Sequence, residues 1–311
     1  MSTAAVIARQ QLRLLSRSQT FLLMLVVLLG MTALSGFIGW SSHSTIIRVY
    51  DETVRTLTAA GKPAPPNPFA YKPRLSLLNN MIIYVPLIGA LLAIVIGNMS
   101  ITGDRQAGVT RVVFSRPVRR SSYFWGKVAG SAVAGAAIMA ACLLLSVIGL
   151  TLINHGLPTG PELVRLTLFY ALSGLYLLLF VLIGLVAALL TSSQSLGLFA
   201  AVAVWAIVTF ATPQFTSGLR PVASLNPVTD PTSVSHSGFF QATSKAKPLA
   251  VNEQYKLLSS RLLSQGNNVT RSGWGKTAAQ LAPILFFLLL LGAWARRLVE
   301  QHDFSEETAR D

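Results

Sequence analysis

Between residues 128 and 153 the chain carries no Asp, Glu, Lys or Arg, and five further stretches, 20–40, 79–100, 162–190, 196–212 and 277–295, carry almost none. About 20 mainly apolar residues in a helix cross the roughly 30 Å hydrocarbon core of a bilayer. Inside hydrocarbon every backbone N–H and C=O must be satisfied within its own segment or a closed barrel. These runs are too long and too continuously apolar for the alternating strands of a barrel, so they read as helices. The rest of the composition agrees: 12% of the residues are charged, against about 25% in soluble domains, and the mean hydropathy is +0.57. The expected fold is an all-α integral membrane protein with six transmembrane helices, an amino-terminal interfacial helix and two larger extracytoplasmic segments, all forming one transmembrane domain.

Taken in order, residues 1–19 hold Arg9, Arg13 and Arg17 at four-residue spacing, with Ile7, Leu12, Leu14 and Leu15 mostly on the other side of a helix. That pattern suits a helix lying in the cytoplasmic interface with its arginines toward lipid phosphates; the alternative is a frayed, charged lead-in to the first span. The run from 20 is long enough to span and ends in no small-x-small cleavage site, so it reads as a retained helix rather than a cleaved signal. Residues 41–78 form an extracytoplasmic segment, helix-compatible through Ala60 and extended across the prolines 63, 65, 66, 68 and 73. Pro86 lies inside span two and predicts a local distortion there. Gly126 and Gly130, at the start of span three, have close-packing spacing, which serves a dimer or packing within one chain. Pro161 and Glu162 suit the first turn of span four. Within the second extracytoplasmic segment, 213–276, Val251, Tyr255, Leu258 and Leu262 form one apolar stripe of a helix over about 249–264. It reads as a helix packed over the spans, with a substrate gate as the other reading. Residues 296–311 form an acidic tail.

Charge sets the orientation. The loop 101–127 contains Arg105, Arg111, Arg116, Arg119, Arg120 and Lys127 against the single acid Asp104. Six spans put this loop, both termini and the short turn 191–195 on one side, together with Arg9, Arg13, Arg17, Arg296 and Arg297. Basic residues near span ends mark the cytoplasmic side, and long translocated segments count for less. Both termini are therefore expected in the cytoplasm. The net charge of +14 is spread over loops beside the spans, which fits lipid headgroups rather than nucleic acid, and no nucleic-acid-binding motif is present.

A search for chemistry returns little. The four histidines, His43, His155, His236 and His302, lack metal-ligand spacing, and the single Cys142 sits in an apolar run as a small core side chain. Gly275-Lys276-Thr277 imitates the end of a phosphate-binding loop, but the required first glycine is Thr270. Asn268-Val269-Thr270 matches a glycosylation triplet and is assigned no role. Ionisable residues are essentially absent from the middle of the spans, where ion-coupled transporters place them. The chain therefore reads as a non-enzyme with no cofactor and no energy source of its own.

The basic loop carries ordered motif pieces: Gly103-Asp104-Arg105-Gln106-Ala107-Gly108, then Ser115-Arg116-Pro117-Val118-Arg119-Arg120, then Gly126-Lys127. These resemble the cytoplasmic segment of type 2 ATP-binding-cassette (ABC) exporter permeases. Asn226-Pro227 is similar to the Asn-Pro of permeases of the nitrous oxide reductase maturation type. The sequence departs from the family at Gly108-Val109-Thr110, where Gly-Thr-Leu is usual, at Asp104, where glutamate is usual, and at Gln106, often a second glutamate. The resemblance implies a permease subunit of an exporter, paired as a homodimer or close heterodimer. Beneath it would sit two copies of a cytosolic ABC ATPase, which hold the ATP and Mg. It implies that Asp104, Arg105, Gly108, Arg111, Ser115, Arg116, Pro117, Arg119, Arg120 and Lys127 couple the ATPase to the spans. The plainer reading of each basic residue is a membrane-side anchor. A different class is an ATPase-docked scaffold that moves no substrate and serves an extracytoplasmic partner, motivated by 41–78 and 213–276.

Overall fold

The computed structural model describes residues 2–65, 74–106, 108–109, 113, 115, 118–154, 156–191, 193–217, 243–264 and 274–301. Pro66, Pro68, Pro73, Arg111, Arg116, Pro117, Asn226, Pro227, the triplet 268–270 and the tail beyond Gln301 lie outside these residues. The described chain is all helical. Six helices are long and apolar enough to cross a membrane. The elements are α1 (Thr3–Arg17), α2 (Gln19–Ala59), α3 (Met81–Gln106), α4 (Arg120–Asn154), α5 (Gly160–Leu190), α6 (Gln194–Thr216), α7 (Val251–Ser264) and α8 (Trp274–Gln301).

The bundle is built around α5. Its first turn is fixed by a capping box in which Glu162 accepts from the backbone N–H of Thr159 at 2.8 Å and from its hydroxyl at 2.9 Å. From Leu166 to Leu189 most of its side chains are buried, so it is surrounded by protein where the other spans keep a lipid-facing side. Helix α3 lies against it at backbone distance. A Cβ at Gly97 would collide with the Val181 carbonyl, and one at Gly184 with the Ile94 carbonyl. Small residues at such crossings replace the hydrophobic drive that lipid removes, because they let dispersion contacts form along both backbones.

Two prolines shape the half of the bundle away from the basic loop. At Pro86 the α3 ladder widens into a π turn over Val85–Gly89, and the Pro86 carbonyl accepts from Trp205 Nε1 at 2.9 Å. Helix α6 has its own π turn at Ile207–Ala211 and continues through Pro213. Proline has no N–H to offer the carbonyl four residues back, and that carbonyl, Thr209, accepts from Asn252 Nδ2 at 3.2 Å. Asn252 belongs to α7, which is tucked among the spans. Its Tyr255 ring stacks on Tyr176 of α5 at 4.4 Å, and the Tyr255 and Ser173 hydroxyls are 2.9 Å apart. Thr216 of α6 donates to Glu253 of α7 at 2.7 Å. Helix α7 thus packs over the spans through Val251, Tyr255 and Leu258.

Helix α2 is far longer than a bilayer needs. Its 41 residues extend about 61 Å at 1.5 Å per residue, so the part beyond about Trp40 stands clear of the apolar bundle. Tyr50 there donates to the Pro65 carbonyl at 2.9 Å, pinning the chain as it turns back.

Candidate functional site

The basic loop starts and ends at the base of the bundle, and its flanking residues point inward. Asp104, in the last turn of α3, and Lys127, in the second turn of α4, form an ion pair of 2.6 Å, with side chains 8% and 4% exposed. The Tyr123 hydroxyl donates to the same Asp104 oxygen at 2.7 Å. Lys127 Nζ also donates to Gln11 Oε1 of α1 at 2.7 Å, and Gln11 Nε2 donates to Ser100 Oγ of α3 at 2.9 Å. Ser100 in turn donates to the Ile96 carbonyl at 2.7 Å. The chain of bonds therefore ties three helices, each through a buried side chain.

The geometry follows from spacing. Tyr123 and Lys127 are four apart and share one face of α4, as do Ser100 and Asp104 on α3. Gly126 and Gly130 let α1 approach α4 closely: a Cβ at either would run into Ile7 or Gln11. The Gly126-xxx-Gly130 pair serves packing within the chain here. The buried stripe of α1 is Ile7, Gln11 and Leu15, while Leu14 is half exposed. Arg9, Arg13 and Arg17 are exposed on the opposite side of α1.

Two arginines at the loop's ends close off other helices. Arg105 Nη1 donates to the carbonyls of Ala188 and Thr191, at 2.8 and 3.0 Å, where α5 ends. The last carbonyls of a helix have no intrahelical donor and carry the negative end of its dipole, so a guanidinium is well matched to them. Arg120 Nη1 donates to the Glu300 carbonyl near the end of α8 at 2.8 Å, and Arg296 pairs with the Glu300 carboxylate at 2.8 Å. Between these fixed points, Gly108 has a φ of +65°, a left-handed conformation that favours glycine and turns the chain sharply after α3. Val113 and Val118 pack on a hydrophobic cluster at the base that includes Ile101, Phe124, Leu185 and Val299. Ser115 and Arg119 are exposed. Arg111, Arg116 and Pro117 lie outside the described residues.

Of the residues singled out in the sequence, Asp104, Arg105, Arg120 and Lys127 are thus engaged within the chain, and Arg119 faces outward. Gln11, Ser100 and Tyr123 escaped sequence reasoning. The available signal was Gln11, a polar residue between Ile7 and Leu15 in a stripe otherwise apolar. Among the described residues no group of three His, Cys, Asp or Glu side chains could hold a metal ion, and Cys142 is buried and unpaired by disulfide. The family model for the ABC-2 family transporter protein matches residues 3–296. A search of curated proteins returned no match.

Proposed function

The chain belongs to the ABC-2 family of transporter proteins, and on that premise we propose that it is the permease of an exporter driven by a separate cytosolic ABC ATPase. Two permease chains, identical or closely related, pair in the inner membrane of a prokaryote, with both termini in the cytoplasm. Two ATPase copies bind ATP and Mg beneath them. The loop 107–119 receives their motion. The observation that carries this reading is the way the loop is fastened at both ends: Arg105 binds the end of α5 and Arg120 the end of α8. A push on such a loop reaches the central helix and the last span directly, and reaches α1, α3 and α4 through the Asp104–Lys127 network. Arg111, Arg116 and Arg119 supply charge for docking, since a guanidinium pairs strongly with a partner's carboxylate.

The test is co-expression with a cognate ABC ATPase. Arg116→Glu with Arg119→Glu is expected to abolish co-purification, while Arg105→Ala is expected to keep the complex and lower its ATPase stimulation. A complex that survives the charge reversals intact would sink the docking assignment.

A second reading has its own support. The outer part of α2 extends beyond the thickness of a bilayer, and the Asn226-Pro227 likeness is to permeases of the nitrous oxide reductase maturation type. Both favour a mechanotransmission scaffold that serves an extracytoplasmic partner. ATP-dependent accumulation of an apolar dye in inverted vesicles separates the exporter from the scaffold.

A further inference from the structure

Helix α1 covers the ion pair at the base of the bundle. Ile7, Gln10 and Gln11 line a small pocket together with Asp104, Tyr123 and Lys127, and Gln11 bonds to both Lys127 and Ser100. The cover is thinly attached. Ile7 and Leu15 are the buried apolar side chains of its inner face, and Leu12 packs half-buried on the spans. On the opposite face Arg9, Arg13 and Arg17 form an exposed row, about 12 Å long. The helix contains no acid to offset them. Among the described residues no ion pair reaches them, since Asp104 is taken by Lys127 and Glu300 by Arg296.

What this row meets follows from the depth at which α1 lies. Gln11 bonds to Ser100 at 2.9 Å and Thr20 to Met99 at 3.2 Å, neighbouring residues of α3, so the chain crosses the base of the bundle at one level. Ser18 is the whole link to α2. Its hydroxyl donates to the Leu15 carbonyl at 2.8 Å and accepts from the Phe21 N–H at 3.2 Å, closing one helix and capping the next. The first large apolar side chains exposed on α2 are then Leu22, Leu23 and Val26, the lipid-facing surface of span one. The arginines therefore stand where hydrocarbon gives way to headgroups, and their long stems reach phosphate there. Val6 is exposed on the same face, and an apolar side chain among arginines suits that boundary better than open water. A basic residue near an anionic membrane surface strengthens attachment about fivefold, so three give roughly a hundredfold. We propose that anionic phospholipid headgroups bind Arg9, Arg13 and Arg17 and hold α1 over the Asp104–Lys127 pair, so that the charge of the membrane surface sets how often water reaches that pair. The inference needs no ATPase and is independent of the transport reading.

The test places the full chain in nanodiscs of phosphatidylcholine alone, or of phosphatidylcholine and phosphatidylglycerol in equal parts. Acetylation of the buried Lys127 is followed by peptide mass spectrometry, with the exposed Lys62 as reference. Phosphatidylglycerol is expected to slow Lys127 relative to Lys62 by about tenfold or more. High salt is expected to abolish the slowing, because exposed charges are screened. Arg9→Gln, Arg13→Gln and Arg17→Gln together are expected to leave Lys127 equally fast in both membranes. The same three positions changed to Lys keep the charge and are expected to keep most of the slowing. A Lys127 rate that ignores lipid charge in the unaltered chain overturns the proposal. So does a slowing that persists in the Gln variant, since it then arises from surface pH and not from the arginines. A slowing that requires a cognate ABC ATPase and no anionic lipid assigns the row to an acidic protein face, and overturns it too. Should the triple variant fail to fold, Arg13→Gln alone decides, with an expected loss of about fivefold of the slowing.

Discussion

Replacing Lys127 with methionine keeps the volume of the side chain roughly constant and removes its charge. What remains is Asp104, still buried, with the Tyr123 hydroxyl donating to it. Removing one member of a buried ion pair costs about 3–5 kcal/mol, because the other charge is left in a poor solvent, whereas replacing both members is often nearly neutral. The loss here includes the bond from Lys127 to Gln11, which releases α1 from α4. At roughly 2–4 °C per kcal/mol for a chain of this order of size, the thermal midpoint in detergent is expected to fall by about 6–20 °C. The double variant Asp104→Asn with Lys127→Met keeps an acceptor for Tyr123 and removes both charges, so it is expected to recover more than half of that loss. The assay is a thermal unfolding series of the four proteins of the cycle. If the single and double variants melt together, or if Lys127→Met costs less than about 1 kcal/mol, the typical worth of a surface pair, the junction is not held by this ion pair.

Other outcomes follow from the same geometry. Arg105→Ala leaves the Ala188 and Thr191 carbonyls without their donor; losing hydrogen bonds to a charged group costs about 1.5–3 kcal/mol, and amide exchange near the end of α5 is expected to quicken. Gly97→Ala and Gly184→Ala are expected to destabilise strongly, because each Cβ meets a carbonyl of the partner helix. Gly149→Ala meets nothing within 4 Å and should be neutral or stabilising by up to about 1 kcal/mol, with equal loss in all three refuting the close α3–α5 crossing. Asn252→Leu removes the donor to the Thr209 carbonyl and is expected to cost about 1–3 kcal/mol and to raise proteolysis within α7.

The spans were legible because hydrophobicity over a helix length is a local property, needing no knowledge of what each helix touches. The distortion at Pro86 was legible for the same reason: a missing N–H acts within one turn. The stripe of α7 was also visible, although its burial among spans depends on Asn252, Glu253 and Thr216, whose partners come from elsewhere in the chain. The base of the bundle was only half legible. Asp104 and Lys127 stood out as charges, but a charge in a sequence looks the same whether it faces a partner, a headgroup or another helix. Gln11, Ser100 and Tyr123 are ordinary polar residues until three helices bring them within 3 Å, and that convergence is set by Gly126 and Gly130, whose spacing left two readings open.

The direct crossing of α3 and α5 limits how this bundle moves. Sliding one helix past the other by a turn would bring Ala93 or Ile101 to the place of Gly97, and any side chain there strikes the Val181 carbonyl. Translation along the shared axis is therefore blocked, while tilting the two together leaves the contact intact. The pair behaves as one stiff spar, clamped at one end by Arg105 and wedged at the other by α7, so a displacement of a few ångströms at the Arg105 end emerges as a rotation at the α7 end.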